Sequence, residues 1–505
     1  MAMHDYHSAL FTSRTDLSED VSILRSLVLQ SINKLSGFEL LLNRHAYHLP
    51  VSTDAIAHQE TSNMASKYVS LEKQLKMLAT DIGTITSVES LASAAQKKNE
   101  IFFTIRSLQA ILGSLLVMTD WQSPSFLHSL ASQAGVQTGK IIGTINDYKR
   151  DQHLDAQSYE DAFRKEYFDA LIKFPIAVYA TSSGMAAFTT ILMYLLSQNK
   201  INGPVILGKS SYFEYKELVR KIIKQKIIEV DDMDTSEILS TIKTEKPSIL
   251  FFDTLCNAAD IAMPDLPTIL TALRKTATRP TYAVIDNTGL ATTFQPLHYQ
   301  GRHVHIIGHE SLNKYHQFGM DRVTGGVMYG YGLSIGGLFT MREHAGTNIS
   351  DASVCALPAP DKKMLLSRLN RLQRNATALA SHIQSLVDTH PKSVIERVLY
   401  PGLPMHPSYP STKRYRFTGS FFSLAFKPRY RSIWQYKRFV ARVISQARRL
   451  NVNIVSGTSF GLPTTRIYLT AIHTDYTQPF VRIAVGTEHL MQIEKIKELF
   501  THILT

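Results

Sequence analysis

The chain has 505 residues, too many for one ordinary hydrophobic core, so two or three packed units are expected. Apolar residues make up 44% and charged residues 19%, the balance of a globular protein rather than of a disordered or fibrous one. The net charge of +12 comes without any recognisable nucleic-acid motif, and excess positive charge suits a protein that must hold phosphate and carboxylate groups. Two cysteines, Cys256 and Cys355, give no basis for a disulfide framework or a cysteine-rich metal site and fit a reducing compartment. No metal is expected.

The N-terminus, with His4, Asp5 and His7, lacks the basic start and apolar core of a signal peptide. From Val21 to about Asn146 apolar residues recur at helical spacing: Leu24, Leu27, Leu29, Ile32 and Leu35, then Val69, Leu71, Leu75 and Leu78. Pro50 and Pro124 divide the helices. The most apolar run, Ile101 to Met118, is broken by Arg106 and Gln109 and is short for a membrane span, so a cytoplasmic chain with no membrane partner is expected. A helical N-terminal region over 1–147 follows, packed on the main body or on a partner subunit.

Short β-rich runs alternating with helices come next and imply a mainly parallel sheet covered on both faces. Strands are predicted at Ala177 to Ala180, Val205 to Leu207, Ile227 to Val230, Ser248 to Asp253, Tyr282 to Ile285 and His303 to Ile307. Between the second and third lies the densest basic stretch, Lys216, Arg220, Lys221, Lys224 and Lys226, interleaved with Leu218, Val219, Ile222 and Ile223. It reads as a solvated helix face. A long helix from Lys362 to about Val387 leads to a final segment with a β run from Phe421 to Phe426, a basic helix from Trp434 to Leu450 and a strand from Val452 to Val455. This segment reads as a smaller α+β domain. The predicted division is 148–385 for the large α/β domain and 386–505 for the small one.

Three strand ends carry chemistry, in an order that matters. Thr181-Ser182-Ser183-Gly184-Met185-Ala186-Ala187 places small residues between a strand and a helix, where free amides form an anion site; the plainer reading is a tight turn. Asp286, closing Ala283-Val284-Ile285-Asp286-Asn287-Thr288, is either a carboxylate aimed at a ligand or a cap on the next turn. Lys314, in Ser311-Leu312-Asn313-Lys314-Tyr315, taken alone is a solvated charge. Together and in this order they are an anion cradle, a partner for a protonated ring nitrogen, and an amine for a Schiff base. Those are the parts that pyridoxal 5'-phosphate (PLP) requires.

The same three segments resemble the family of cystathionine γ-synthase, cystathionine lyases, methionine γ-lyase and homoserine-ester sulfhydrylases, with its Ser-Gly-Met-Ala-Ala turn, Asp-Asn-Thr strand end and Ser-x-Thr-Lys-Tyr lysine motif. The likeness runs from about Tyr148 to the C-terminus. It implies fold type I of the PLP-dependent transferases, an aspartate-aminotransferase-like architecture with a mainly parallel central sheet and a smaller C-terminal α+β domain, here with an added helical N-terminal region. Tyr148-Lys149-Arg150, with Glu160 beyond, is similar to the family's Tyr-x-Arg motif, which reaches the phosphate of a neighbouring subunit, so a homodimer or homotetramer with shared sites is implied. Tyr212 matches the tyrosine that stacks on the cofactor ring.

Asp253-Thr254-Leu255-Cys256-Asn257 resembles Glu-Thr-Pro-Ser-Asn, whose asparagine, here Asn257, lies by the cofactor's phenolic oxygen. Asp321, Gly325 and Gly326 follow the lysine as in the family, and Arg368 with Asn375 and Ala376 resembles the helix after its large domain. Ser459-Phe460-Gly461 and Val481 to Gly486, with Arg482, look like the segments that bind the substrate's α-carboxylate. The resemblance thus implies cofactor binding by Tyr148, Arg150, Ser183, Gly184, Met185, Tyr212, Asn257, Asp286, Ser311, Asn313 and Lys314, catalysis by Lys314 and Tyr212, and substrate binding by Ser459 and Arg482.

It also implies elimination or replacement at the γ-carbon of an amino acid: a homoserine ester, a cystathionine-like thioether or a methionine derivative. Departures bear on the substrate. Asn313 stands where the family has a threonine, Ala258 replaces a proline, and Gly319-Met320 replace a His-Ser pair. S-adenosylmethionine, used to form a carbon–carbon bond in natural-product biosynthesis, is an alternative, as is an aminotransferase on the same fold.

Overall fold

The computed structural model describes residues 3–46, 66, 69–77, 79–82, 91–119, 150–151, 153–471 and 478–505. Pro50, Leu78, Pro124, Asn146, Tyr148 and Lys149 lie outside them. The chain divides into two compact units: Met1–Phe163 with Arg322–Gly325 and Arg342–Pro360, and Arg164–Asp321 with Gly326–Met341 and Asp361–Thr505.

In the first unit, the helices Met3–Ala46 and Leu91–Thr119 pack together. Leu24, Leu27 and Leu35 are buried on one, and Ile101, Ile105, Leu108 and Leu112 on the other. Leu29 and Val69, on the same helical period, are exposed. Two buried ion pairs lie in this core. Lys98 lies 3.2 Å from Asp20, both side chains buried, and the fully buried Arg342 lies 2.6 Å from Glu160. Lys34 donates to the backbone oxygen of Leu357 at 2.7 Å and also to that of Cys355. Among the described residues no helix is long and apolar enough to cross a membrane.

The second unit is built on a seven-stranded sheet: β1 Ile176–Thr181, β2 Val205–Gly208, β3 Ile227–Val230, β4 Ile249–Asp253, β5 Thr281–Asp286, β6 Val304–Ser311 and β7 Gly326–Tyr331. Their spatial order is β1-β7-β6-β5-β4-β2-β3. From β3 to β6 every pairing is parallel. Strands β2 and β4 are buried along their whole length, as expected where helices cover both faces. Phe188, Ile191 and Leu195 of the helix Gly184–Ser197 pack with Val219, Phe251, Val284 and Met328 in one cluster.

Six of these strands follow the predicted runs. The seventh, Gly-Val-Met-Tyr-Gly-Tyr, carries two glycines and gives no strong strand signal, yet it lies antiparallel between β1 and β6. Its insertion makes residues 312–325 the link between antiparallel neighbours, closed at its base where Ser311 faces Gly326.

A second sheet of five strands comprises β8 Ile395–Leu399, β9 Phe421–Phe426, β10 Val455–Ser456, β11 Arg466–Thr470 and β12 Phe480–Ala484, in the order β10-β11-β12-β9-β8. The predicted strand from Val452 is cut to two residues. The helix Ile433–Arg449 ends in a left-handed turn at Asn451 (φ 51°), with Val452 N–H bonded back to Ala447 O at 2.8 Å, so residues 450–452 serve its C-cap. The basic stretch also differs from expectation. Lys216 is buried and donates to Lys209 O, while Arg220 pairs with Glu217 and Glu229. Only part of that face is solvated, because the carbonyl of the preceding turn draws Lys216 inward.

Gly326 is a junction at which β7 meets the backbone of the Ser183 turn. A Cβ there would lie 2.3 Å from Ser183 O and 2.7 Å from Gly184 N. Gly326→Ala is therefore expected to cost about 1–3 kcal/mol through overpacking, read as a lower midpoint in thermal or denaturant unfolding, with the Ser183–Gly184 turn displaced.

Candidate active site

The parallel strands end on one side, and their loops enclose a cavity of about 260 Å³. Such a crevice, beyond the carboxyl ends of the strands, is where open α/β sheets bind ligands. Every residue lining it belongs to the second unit.

At one end Ser183, Gly184 and Met185 line the cavity where the helix Gly184–Ser197 begins. Ser183 caps that helix, its Oγ accepting from Ala186 N–H at 3.0 Å, which leaves the hydroxyl proton and the first-turn amides for an anion. Ser311 and Asn313 line the cavity as well, and Ser311 N–H is fixed on Thr288 Oγ1 at 2.9 Å.

Asp253 and Asp286 face each other across β4 and β5 and both line the cavity. Asp253 is fully enclosed. It accepts from Tyr212 N–H at 3.0 Å and from Tyr215 OH, and burial, reinforced by the neighbouring Asp286 charge, pushes its pKa well up. Asp286 Oδ1 accepts from Thr288 N–H at 2.9 Å. Tyr212 precedes the helix Phe213–Ile222. Its phenol is pushed strongly up by burial, with Glu214, Asp286 and Asp253 adding to the effect, so it stays protonated and available as a donor.

Lys314 stands opposite. Its Nζ donates to Ser459 Oγ at 3.0 Å and lies 5.2 Å from the centre of the Phe460 ring. Burial lowers its pKa; Arg482 lowers it further, against Asp321, Glu214 and Asp286. Desolvation favours the neutral amine, the form that acts as nucleophile or base. Ser459 holds its position at φ 78°, an uncommon conformation for a side chain other than glycine. Behind it, a Cβ on Gly461 would lie 2.9 Å from Lys314 O, so only glycine lets this segment close on the lysine turn.

Arg482, on β12, is 2% exposed. It lies over the rings of Phe421 and Phe480, with centroid distances of 4.7 and 5.1 Å, and donates to Asn257 Oδ1. Its Nε has no partner. A buried guanidinium with an unmet donor beside a cavity suits a carboxylate.

The structure therefore gathers Ser183, Gly184, Met185, Tyr212, Asn257, Asp286, Ser311, Asn313 and Lys314 on one cavity, with Ser459 bonded to the lysine and Arg482 to Asn257. Arg150 lies in the first unit, 57% exposed and bonded to Asp151 at 2.9 Å. Sequence reasoning did not single out Thr288, Gly289, His309, Phe421 or Phe460 as lining residues, and it noted Asp253 only as part of a motif. Strand-end position could have flagged Asp253, and two-residue alternation with Ser311 could have flagged His309. Phe421 comes from the second sheet, and no local signal announces it. Among the described residues no cluster of histidine, cysteine or acidic side chains could hold a metal.

A lysine at a strand-end turn, facing a carboxylate and a helix N-terminus at the edge of such a sheet, defines a fold type I PLP enzyme. Comparison with known proteins agrees. A model of the Cys/Met metabolism PLP-dependent enzyme family matches residues 121–498, and the chain belongs to that family. It is 25% identical to the bifunctional enzyme flvA of Aspergillus flavus over 314 residues, 61% of this chain and 36% of that one. It is 27% identical to a cystathionine gamma-lyase of Dictyostelium discoideum over 256 residues, 50% of this chain and 61% of the relative. The chain thus spans about a third and about three-fifths of these curated relatives.

Solved structures share the fold. The cystathionine gamma-lyase from Lactobacillus plantarum complexed with L-serine gives a TM-score of 0.57 at 20% identity, over 72% of this chain and 90% of that one. The metB structure from Corynebacterium glutamicum gives 0.55 at 21% identity, over 71% and 87%. The residues present fit the cofactor: a desolvated amine, a facing carboxylate, a capped helix start with free amides, and an aromatic side chain at the rim.

Lys314→Ala should fold, as removing a polar chain-end opens little apolar cavity. Borohydride treatment of the purified wild type is expected to fix PLP on the Lys314 peptide, read by mass spectrometry, and to label no peptide in the variant. Labelling at another lysine would remove Lys314 from its place.

Proposed function

We propose that the chain catalyses γ-elimination or γ-replacement on an amino acid, either a homoserine ester, a cystathionine-like thioether or a methionine derivative. The observation that carries this reading is the buried Arg482, with an unmet Nε donor, bonded to Asn257 on the wall of the cavity that Lys314 and Tyr212 also line. An α-amino acid docked by its carboxylate on Arg482 is held at one end, which restricts its orientation toward the lysine. PLP, when bound, supplies the electron sink that makes protons at Cα and then at Cβ acidic.

Lys314, its amine lowered by burial, takes the proton at Cα and moves protons between neighbouring carbons. Tyr212, held protonated, stacks at the cofactor and donates to the departing γ-substituent. Asp286 would keep the ring nitrogen protonated, Ser183, Gly184, Met185, Ser311 and Asn313 would hold the phosphate, and Asn257, bonded to Arg482, would lie by the phenolic oxygen. Ser459, bonded to the lysine amine, orients it between transfers.

The deciding experiment offers O-acetylhomoserine, O-succinylhomoserine, cystathionine, methionine and S-adenosylmethionine separately, in deuterated water. Deuterium entering both Cα and Cβ with loss of the γ-group is the expected result. Exchange at Cα alone with every compound would overturn γ-chemistry in favour of transamination or β-chemistry. Reaction of S-adenosylmethionine alone would assign a sulfonium leaving group and carbon–carbon bond formation.

We further propose a homodimer or larger homo-oligomer in which Tyr148 and the exposed Arg150 of each chain reach the phosphate of the other. Neither Arg150→Ala nor Lys314→Ala should be active by itself. Mixed and reassembled, the two should recover part of the activity, because one site in each hybrid dimer is whole; a monomer that retains PLP would exclude the arrangement.

A further inference from the structure

The turn that presents Lys314 has no regular secondary structure of its own. Between Ser311 and Met320 the backbone makes few internal bonds, Phe318 N–H to Tyr315 O at 3.0 Å and Met320 N–H to Gln317 O at 2.8 Å, and it passes through left-handed conformations at Phe318 and Gly319. Its shape depends on side chains. On β6, His309 and Ser311 face the cavity, so Glu310 between them points to the opposite side of the sheet.

There Glu310 is 2% exposed and accepts three hydrogen bonds. They come from Asn287 Nδ2 at 2.9 Å, Tyr329 OH at 3.0 Å and His316 Nε2 at 2.7 Å. The last spans the lysine turn, joining the residue before Ser311 to the second residue after Lys314. Asn287 follows Asp286 directly, and its own N–H is bonded to His309 O at 2.9 Å. One buried carboxylate therefore ties together the strand end bearing Asp286, the strand β7, and both sides of the turn bearing Lys314.

We propose that the Glu310–His316 pair is a positioning device, a staple across the turn that fixes where the Lys314 amine stands relative to Asp286. Stability alone is a poor reason for such a pair. Two polar groups this deeply buried lose their hydration, and apolar side chains of similar volume commonly serve a core as well or better. What the pair supplies is geometry: a short directional bond from the strand β6 to the far side of the turn, outside the bond that Gln317 Nε2 donates to Leu312 O within it. Tyr329, which donates to the same carboxylate from β7, joins the two strands and makes no bond to the segment between Ser311 and Met320 through that hydroxyl.

The inference rests on the reading of Lys314 as the cofactor lysine, and the test separates the two. In apoenzyme, acetylation of Lys314 by acetic anhydride is followed by mass spectrometry against pH, alongside borohydride trapping and turnover of the holoenzyme. In His316→Leu, the Lys314 labelling midpoint should rise towards that of an exposed lysine, and turnover should fall on the order of a hundredfold, the cost of about an ångström of misplacement, with KM unchanged. His316→Gln, which still reaches Glu310 with an amide donor, should restore both. Tyr329→Phe should label as wild type.

If His316→Leu does not fold, His316→Asn, too short to reach Glu310, takes its place in the same comparison. Equal shifts in the His316 and Tyr329 variants, or wild-type labelling and turnover once the His316 donor is lost, would overturn the staple. Trapping of wild-type cofactor on a different lysine would instead overturn the reading beneath it.

Discussion

An amine works as a nucleophile and proton carrier near neutral pH only if its charged form is made costly, and burial is what makes it so. Most of the second unit's architecture follows from enclosing Lys314 in this way. The sheet supplies the floor, but the roof comes from the C-terminal region: Ser459 accepts from the amine, Phe460 covers it, and Arg482 adds a repelling positive charge. Two further contacts pull that roof down. Arg368, on the helix Lys362–Thr389, donates to Gly461 O at 3.0 Å, and Tyr315 OH meets Ser420 Oγ at 3.0 Å. The smaller sheet is thus part of the device that sets the lysine's chemistry.

The two aspartates show the same environment acting with opposite sign. Parallel pairing brings Asp253 and Asp286 side by side, and burial beside a second acidic side chain disfavours the charged form of Asp253. Asp253, deeper and bonded to Tyr215 and Tyr212, has its pKa driven up. The inner carboxyl serves the backbone of the Tyr212 turn, while Asp286, on the neighbouring strand, lines the cavity and accepts from Thr288 N–H. The division of labour comes from depth, since the residue type is the same.

Strand ends were the legible part of this sequence. Where an apolar run stops at a small or acidic residue, the backbone has reached the edge of the sheet, which marked Ser183 and Asp286, while Lys314 stood out only by following them in order and by resemblance to a known lysine motif. Elements with weak local signal were missed: β7 with its paired glycines, and the short β8, β11 and β12, whose burial is decided by partners distant in sequence. The Val452 run failed for a related reason, as the C-cap of the preceding helix claimed residues that their composition assigns to a strand. The aromatic walls Phe421 and Phe460 become site residues only when the second sheet meets the first. Phe421 sits opposite Ala484 in that sheet, on the strand next to the one bearing Arg482, a relation that spacing in the sequence does not encode.

The position of β1 at the sheet edge has a consequence for synthesis. Among the described residues its sole neighbour is β7, with Ile176 opposite Tyr331 and Thr181 opposite Gly326. A nascent chain that has produced β1 must make every other strand of that sheet before the first can pair, a wait on the order of ten seconds at ordinary elongation rates. During it, β1 and the helix after it remain beside the ribosome without their final anchor, while β2 to β6 can already assemble by parallel crossovers. The anion cradle is therefore encoded at the start of this sheet and closed only at β7, the step that also closes the lysine turn, and the roof over the lysine, with Phe421, Ser459 and Phe460, is made later still.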